Sequence, residues 1–333
     1  INMLNRNILS KIGSSLVLIL GYVGYKLYQK KEEEKERTAD ILYKINTAKT
    51  YIFNQVKSCF IPKVGMILGS GQNDLIRDFE IMTIIRYEDI PFFPISTVKG
   101  HTGKLILAHF KGLDIVIMQG RFHNYEGYTT KEVSFPVRVM KALGIKTLVI
   151  TNSSGGINPE LSTGDIIVIK DHVYLPGLVG FSPLHGPNNE YLGERFVAMN
   201  NIYTKKYRDL VLKEKRNYVK EGVYCGVSGP CYETPTEVKF MRLMGCDIVG
   251  MSTIPEVVVA AHADIKVLVL GLVTNSCVDN CDSSEKPTHE EVCKNAVKSI
   301  SNLRSLIEKF LIDLKEENCL RNITFRNTIQ NTI

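Results

Sequence analysis

The sequence lacks several features, and each absence excludes a class of protein. Its eight cysteines (59, 225, 231, 246, 277, 281, 293 and 319) contain no C-x-x-C pair and follow no framework spacing. That argues against a disulfide scaffold and for reduced thiols in a reducing compartment. Cys277 and Cys281 have His289 downstream, but the ligand set is incomplete for zinc, so no metal is expected. No apolar run reaches the ~18 to 20 residues of a secure membrane span. No internal repeat is visible. The net charge of +6 comes from basic residues scattered singly, which excludes a nucleic-acid stripe. A mild positive balance does suit small anionic substrates.

What remains is ordinary globular composition. The 333 residues are 44% hydrophobic and 23% charged, with ample length for a large core. The N-terminus stands apart. Ile12 to Tyr25 are fourteen residues without a charge, preceded by Arg6 and Lys11 and followed by Lys26, Lys30, Lys31 and the charged run Glu32 to Arg37. The run resembles a signal h-region, but no A-x-A-like cleavage site follows it. A short membrane anchor, a targeting segment and a start-site artefact all fit. Residues 1–37 are therefore expected to lie outside the folded domain. Residues 8–28 would supply any membrane association of an otherwise cytoplasmic protein.

From Thr38 the apolar positions Ile41, Ile45, Ala48, Ile52 and Val56 recur at helical spacing. Strands are expected at 64–68, 104–109, 114–119, 147–151, 165–169, 222–228, 246–251 and 266–273. Between several of them the pairs Thr129/Glu132, Thr234/Glu237, Thr253/Glu256 and Thr288/Glu291 match the capping-box pattern for a helix start. Gly144 and Gly245 stand where helices should end. Alternating strands and helices imply the α/β class: one domain over 38–315, with a central mixed β-sheet flanked by helices, and a flexible tail over 316–333.

The chemistry begins with Arg121-Phe122-His123-Asn124-Tyr125-Glu126-Gly127-Tyr128, which follows the strand Ile115 to Met118. In extended backbone Arg121 and His123 share a face. A guanidinium fork and an imidazole just past a strand end suit a tetrahedral oxyanion such as phosphate. In open α/β sheets, ligands gather outside such strand ends. Gly69-Ser70-Gly71 offers a hydroxyl and close backbone approach after the first strand. It lacks the third glycine of a dinucleotide fingerprint, and a simple tight turn is an equal reading. Thr151 to Gly156 is small and glycine-rich after another strand. Ser252 precedes a helix start, where free N–H groups favour an anion, and Met251 beside it is apolar. Glu233, next to Tyr232, precedes the Thr234 cap and need not serve the helix. A carboxylate beside an aromatic can accept from a ring N–H while the ring stacks. Asn275 ends the last core strand with one acceptor and two donors for a heterocycle edge. Each stretch alone is also an ordinary turn, cap or exposed acid.

In this order and spacing they resemble the trimeric, low-molecular-mass purine nucleoside phosphorylases, from about Thr38 to Leu314. The resemblance implies phosphorolysis of inosine, guanosine and their deoxy forms to a free purine and (deoxy)ribose 1-phosphate. It implies no cofactor beyond phosphate as co-substrate, and a homotrimer. Phosphate would be held by Ser70, His101, Arg121, His123, Ser153 (through its backbone) and Ser252. Tyr125 and Met251 would contact ribose, and His289 its 5′-hydroxyl. Glu233 and Asn275 would hold the purine edge with Tyr232 stacked on it, and Phe196 would come from the adjacent subunit. His123, Glu233 and Asn275 would be the catalytic residues. Three departures stand out: Gln72-Asn73-Asp74 in place of a glycine-rich loop, Ser153 and Ser154 in place of alanines, and Tyr232 in place of a commoner Phe. A methylthioadenosine phosphorylase shares the scaffold but carries Asp where this chain has Asn275. A nucleoside-binding protein without catalysis is a further alternative.

Overall fold

The computed structural model describes residues 40–56, 59–97, 102–284 and 286–330, with Val23, Lys26 and Leu27; side-chain surroundings are described as far as Glu317. His101 and nearly all of 8–28 lie outside the described residues. No described helix is long and apolar enough to cross a membrane. The chain divides into two compact units, Ile1–Asn46 and Thr47–Ile333. A helix over 40–54 is α1.

Among the described residues nine strands form one sheet in the order β2-β3-β4-β1-β5-β8-β7-β6-β9, and β5 also pairs with β9. That extra pairing closes the second half of the sheet on itself and leaves the first half open. β1 (Val64–Ile67) lies parallel to both β4 (Leu113–Gln119) and β5 (Thr147–Gly156), and β5 lies parallel to β9 (Lys266–Ser276). The carboxyl ends of β1, β4, β5 and β9 therefore emerge on one side. These strands read as unbroken apolar runs because both faces are covered. β2 (Glu80–Arg86) and β3 (Lys104–Phe110) add an antiparallel hairpin at the open edge. β6 (Ile166–Tyr174), β7 (Val219–Gly226) and β8 (Ile248–Gly250) complete the closed part, so the sheet is mixed as expected.

The helices follow their caps. α2 (Thr130–Leu143) opens on a capping box between Thr129 and Glu132 and ends at Gly144, whose φ of 111° a side chain would resist. Two short helices, α3 (Leu175–Leu178) and α4 (Lys205–Leu212), were not expected from the sequence. α5 (Pro235–Leu243) repeats the box with Thr234 and Glu237. α6 (Ile254–His262) does not. Thr253 makes no side-chain cap and sits at φ 76°, ψ −54°, so the reciprocal capping box expected of Thr253 and Glu256 does not form. α7 runs His289–Gln330, so the stretch expected to be a flexible tail is helical as far as Gln330. Its buried Ala296, Leu303, Ile307, Phe310 and Leu311 pack over β1, β4 and β9 side chains such as Met66, Ile117 and Leu270. Burial of apolar side chains like these stabilises each by roughly 1.5–3 kcal/mol and fixes the strand ends in space.

Candidate active site

One cleft, with about 670 Å³ of open space, collects most of the residues singled out in the sequence. Ser70 enters from the end of β1, Arg121, His123 and Tyr125 from the end of β4, and Ser153 from β5. Tyr232 and Glu233 come from the loop between β7 and α5, and Met251 and Ser252 from the end of β8. Asn275 ends β9 and His289 begins α7. Phe196 is not among them: it stands 86% exposed on a loop of the same chain.

Arg121 is buried, and its Nη1 donates to Ser252 Oγ at 2.9 Å. Its Nε lies 3.5 Å from a carboxylate oxygen of Glu256, also buried. The sequence hid Glu256 behind the Thr253/Glu256 cap spacing. Here the carboxylate stands beside the guanidinium while keeping a hydrogen bond to the Thr253 backbone. Burial raises the Glu256 carboxyl above the usual 4.5 and Arg121 pulls it back down. A guanidinium backed by a carboxylate keeps its orientation when an anion arrives in front of it.

The backbone around Ser252 explains why Thr253 does not cap. Ile254 N–H donates to Ser252 C=O at 2.8 Å, which with the positive φ of Thr253 makes a γ-turn of the rarer kind. Tyr224 holds Ser252 at both ends of its backbone: the phenol donates to the Ser252 carbonyl at 3.3 Å and accepts from its N–H at 3.4 Å. Gly250 is required beside it, because a Cβ there would stand 2.5 Å from the phenol oxygen. Asn152 donates to Thr253 Oγ1 at 3.0 Å, and Ser154 Oγ donates to Asn152 Oδ1 at 2.7 Å.

The three departures noted in the sequence find places. Gln72 is fully buried; its carbonyl oxygen accepts from Gly69 N–H at 3.1 Å and its amide donates to Asn152 C=O at 3.1 Å. One side chain therefore ties the loop after β1 to strand β5, a task backbone glycines do not perform. Ser153 Oγ donates to Ser70 C=O at 3.0 Å, a second tie between that loop and β5. Tyr232 is 37% exposed at the rim of the cleft.

His123 stacks on Tyr125, with ring centroids 4.6 Å apart and planes 15° from parallel. Its Nδ1 lies 2.9 Å from Glu126, whose other carboxylate oxygen accepts from the Thr97 N–H and hydroxyl at 2.8 and 2.7 Å. Burial holds the imidazole below the usual 6.5, opposed by the hydrogen bond to Glu126. Burial alone would raise Glu126, but hydrogen bonds from His123 and Thr97 outweigh it and bring the carboxyl from 4.5 down to about 2. An ionised Glu126 only accepts, so Nδ1 carries the hydrogen and Nε2 is the acceptor of the neutral ring. Glu126 was visible in the sequence, three residues after His123, but had been given no role. Because its pKa is depressed on folding, its stabilisation is complete above about 4.5 and is lost as pH falls towards 2. The stability gap between wild type and Glu126→Gln, measured by denaturant unfolding, should therefore close across that window. A gap unchanged through it would show that Glu126 stabilises nothing through its charge.

At the other end of the cleft, Thr274 Oγ1 lies 3.3 Å from Asn275 Oδ1 and also reaches Ser154 C=O at 3.2 Å. A hydroxyl donating to Oδ1 leaves the Asn275 NH₂ as the donor, with one hydrogen towards Ser276 C=O at 3.3 Å and the other open to a ligand. Burial raises Glu233 above the usual 4.5. Gly229, at φ 69°, lets the backbone pass Met251, since a Cβ there would stand 2.5 Å from its sulfur. Among the described residues no group of three or more His, Cys, Asp or Glu is placed to hold a metal ion.

The family model described as the Phosphorylase superfamily matches residues 63–312. Purine nucleoside phosphorylase 1 of Bacillus subtilis (strain 168) is 44% identical over 250 residues, covering 74% of this chain and 90% of that protein. The structure of Schistosoma mansoni purine nucleoside phosphorylase in complex with inosine superposes with a TM-score of 0.75 at 42% identity, covering 81% of this chain and 95% of that one. The same relative in complex with adenosine superposes with a TM-score of 0.74 at 43% identity, covering 80% and 95%.

Proposed function

This chain belongs to the phosphorylase superfamily, among its purine nucleoside phosphorylases, and on that footing we propose how its own residues divide the reaction. The enzyme is a pentosyltransferase: it transfers the sugar of a purine nucleoside to phosphate. Breaking the N-glycosidic bond builds positive charge on the sugar and negative charge on the leaving purine. Catalysis therefore needs an anion on one face of the sugar and a donor at the purine.

Arg121 and Ser252 grip phosphate, with Ser70, His123 and the Ser153 backbone around it. One phosphate oxygen forms the new bond to C1′ as the bond from C1′ to the purine N9 breaks. The electron pair goes to the purine, where the Asn275 NH₂ stabilises it at N7 and O6. Glu233 accepts from N1–H. Tyr125 and Met251 lie against the ribose, His289 meets the 5′-hydroxyl and Tyr232 stacks on the base. His123, as the Nδ1–H tautomer, turns an acceptor towards any proton on the phosphate. The reading rests on one observation: oxyanion-binding and heterocycle-binding side chains from separate strand ends line a single cleft. Inosine, guanosine and their deoxy forms are the substrates proposed, with inorganic phosphate as co-substrate and no cofactor. Release of hypoxanthine from inosine should depend on phosphate. Release at the same rate in phosphate-free buffer would point to a hydrolase, and no release at all to a binding protein.

The enzyme is read as a homotrimer, in which Phe196 of one subunit closes the cleft of the next. Active material sedimenting as a monomer would refute this. Residues 1–37 are read as an extension dispensable for phosphorolysis, whether or not 8–28 brings the protein to a membrane. The chain begun at Thr38 should keep full activity, and a comparison of cell fractions with and without the extension reports on the membrane.

A further inference from the structure

The loop that carries Phe196 is held from below in a specific way. Residues 181–200 contain only turns, bends and irregular backbone. The loop is drawn closed by Arg195, whose Nη1 donates to the carbonyls of Gly186 at 2.7 Å and Leu184 at 3.2 Å. Under it lies His262, the last residue of α6, which is buried. Arg138 of α2 lies behind His262, with Nη1 3.3 Å from the ring Nδ1. His262 Nε2 lies 3.1 Å from Asn188 Oδ1, and Asn188 Nδ2 donates to Gly193 C=O at 3.0 Å.

The hydrogens in this chain can be assigned by logic. A guanidinium only donates, so Nδ1 of His262 accepts. The neutral ring then carries its hydrogen on Nε2 and donates to Asn188 Oδ1, which leaves the Asn188 NH₂ to donate to Gly193. Each group has one polarity open to it, and all agree. Gly193 presses directly on His262: a Cβ there would lie 1.9 Å from the His262 carbonyl oxygen. Phe196, three residues on, makes no use of this anchoring within its own chain, being 86% exposed.

We infer that Arg138, His262 and Asn188 form a directed hydrogen-bond relay that fixes the Phe196 loop, making His262 and Asn188 positioning residues for nucleoside binding in the adjacent subunit. This rests on the reading that Phe196 crosses between subunits. The relay orders the loop before assembly, so less freedom is lost when the aromatic ring meets a nucleoside.

The test compares wild type with Phe196→Ala, Asn188→Ala, His262→Leu, His262→Gln and the double variant Phe196→Ala/Asn188→Ala, using inosine and inorganic phosphate. Phe196→Ala and Asn188→Ala should each raise the KM for inosine about tenfold with kcat little changed, the pattern of lost uniform binding. The KM for phosphate should stay within about twofold. The double variant should be no worse than Phe196→Ala alone, since both act through one ring. His262→Gln, which keeps a donor and an acceptor, should lie between wild type and His262→Leu. His262→Leu risks misfolding; Asn188, on the loop, does not share that risk. Wild-type inosine KM in Asn188→Ala beside a raised one in Phe196→Ala would overturn the relay while leaving Phe196 its role. Additive losses in the double variant would do the same. No effect of Phe196→Ala would remove the cross-subunit reading itself, and the relay with it.

Discussion

Replacing Arg121 with Ala is expected to lower turnover, or raise the KM for phosphate, by about 10²-fold or more, as for loss of a preorganised charge contact. The guanidinium is the buried cation aimed at the cleft, fixed by Ser252 at 2.9 Å on one side and Glu256 at 3.5 Å on the other. Lysine should not restore activity, because one ammonium cannot hold Ser252, Glu256 and an oxyanion in a planar fork. Folding has to be separated from catalysis here. Removing Arg121 leaves Glu256 buried without its countercharge, and breaking such a pair costs about 3–5 kcal/mol when the carboxylate stays ionised. Burial already raises Glu256, so it would take up a proton instead. The double variant Arg121→Ala/Glu256→Gln removes that complication: it should fold about as well as the wild type and remain as inactive as Arg121→Ala. Phosphorolysis near the wild-type rate in either variant would sink the phosphate assignment.

The second large effect concerns the base. Hypoxanthine and guanine present an O6 acceptor and an N1–H donor; adenine presents an N6 donor and an N1 acceptor. An ionised Glu233 only accepts, so it matches N1–H and opposes the adenine lone pair. A buried polar mismatch costs about 1–3 kcal/mol, more for a charge, and sites built on such pairing discriminate by up to about 10⁴-fold. Adenosine is therefore expected to be a poor substrate beside inosine. The relative crystallised with adenosine shows that its own pocket admits the nucleoside, so the comparison to make is of kcat/KM. Asn275→Asp should improve adenosine, by accepting from N6–H, and should harm inosine by repelling O6. The pH dependence has a definite sign. Burial raises Glu233, so its acid form appears at higher pH than for an ordinary carboxylate, and that form can donate to adenine N1. The ratio of adenosine to inosine kcat/KM should rise as pH falls. Comparable kcat/KM values for the two nucleosides in the unmodified enzyme, or a ratio flat with pH, would mean that Glu233 does not face N1.

How much of this could be read from the chain depends on what carried the signal. β1, β4, β5 and β9 were legible because strands buried on both faces are continuous apolar runs between glycines and polar turns. β2 was not: Glu80 to Arg86 is an edge strand, half exposed, with no clean alternation. α3 and α4 are short and lie in loop-like sequence. The cleft residues were legible because they cluster at strand ends, where order along the chain becomes nearness in space. Glu256 was lost for a physical reason. A carboxylate three residues after a threonine before a helix satisfies the cap pattern by spacing alone, and spacing does not report the sign of φ. Gln72 looked like a departure from a glycine-rich loop, and only the fold shows its amide bridging that loop and strand β5. Tyr224, two residues from the end of a strand, gave no hint that it holds Ser252.

The γ-turn at Thr253 has a consequence for anyone who alters this protein. A β-branched residue at φ 76° is an outlier of the kind that costs about 1–3 kcal/mol. Glycine there would relieve that strain. The same change deletes the hydroxyl that Asn152 grips at 3.0 Å and frees the neighbouring Ser252 to swing. At position 253 a strained backbone is thus held in place by a buried hydrogen bond worth as much, roughly 1–3 kcal/mol, so a relaxed variant would be expected to show its defect in phosphate affinity rather than in stability.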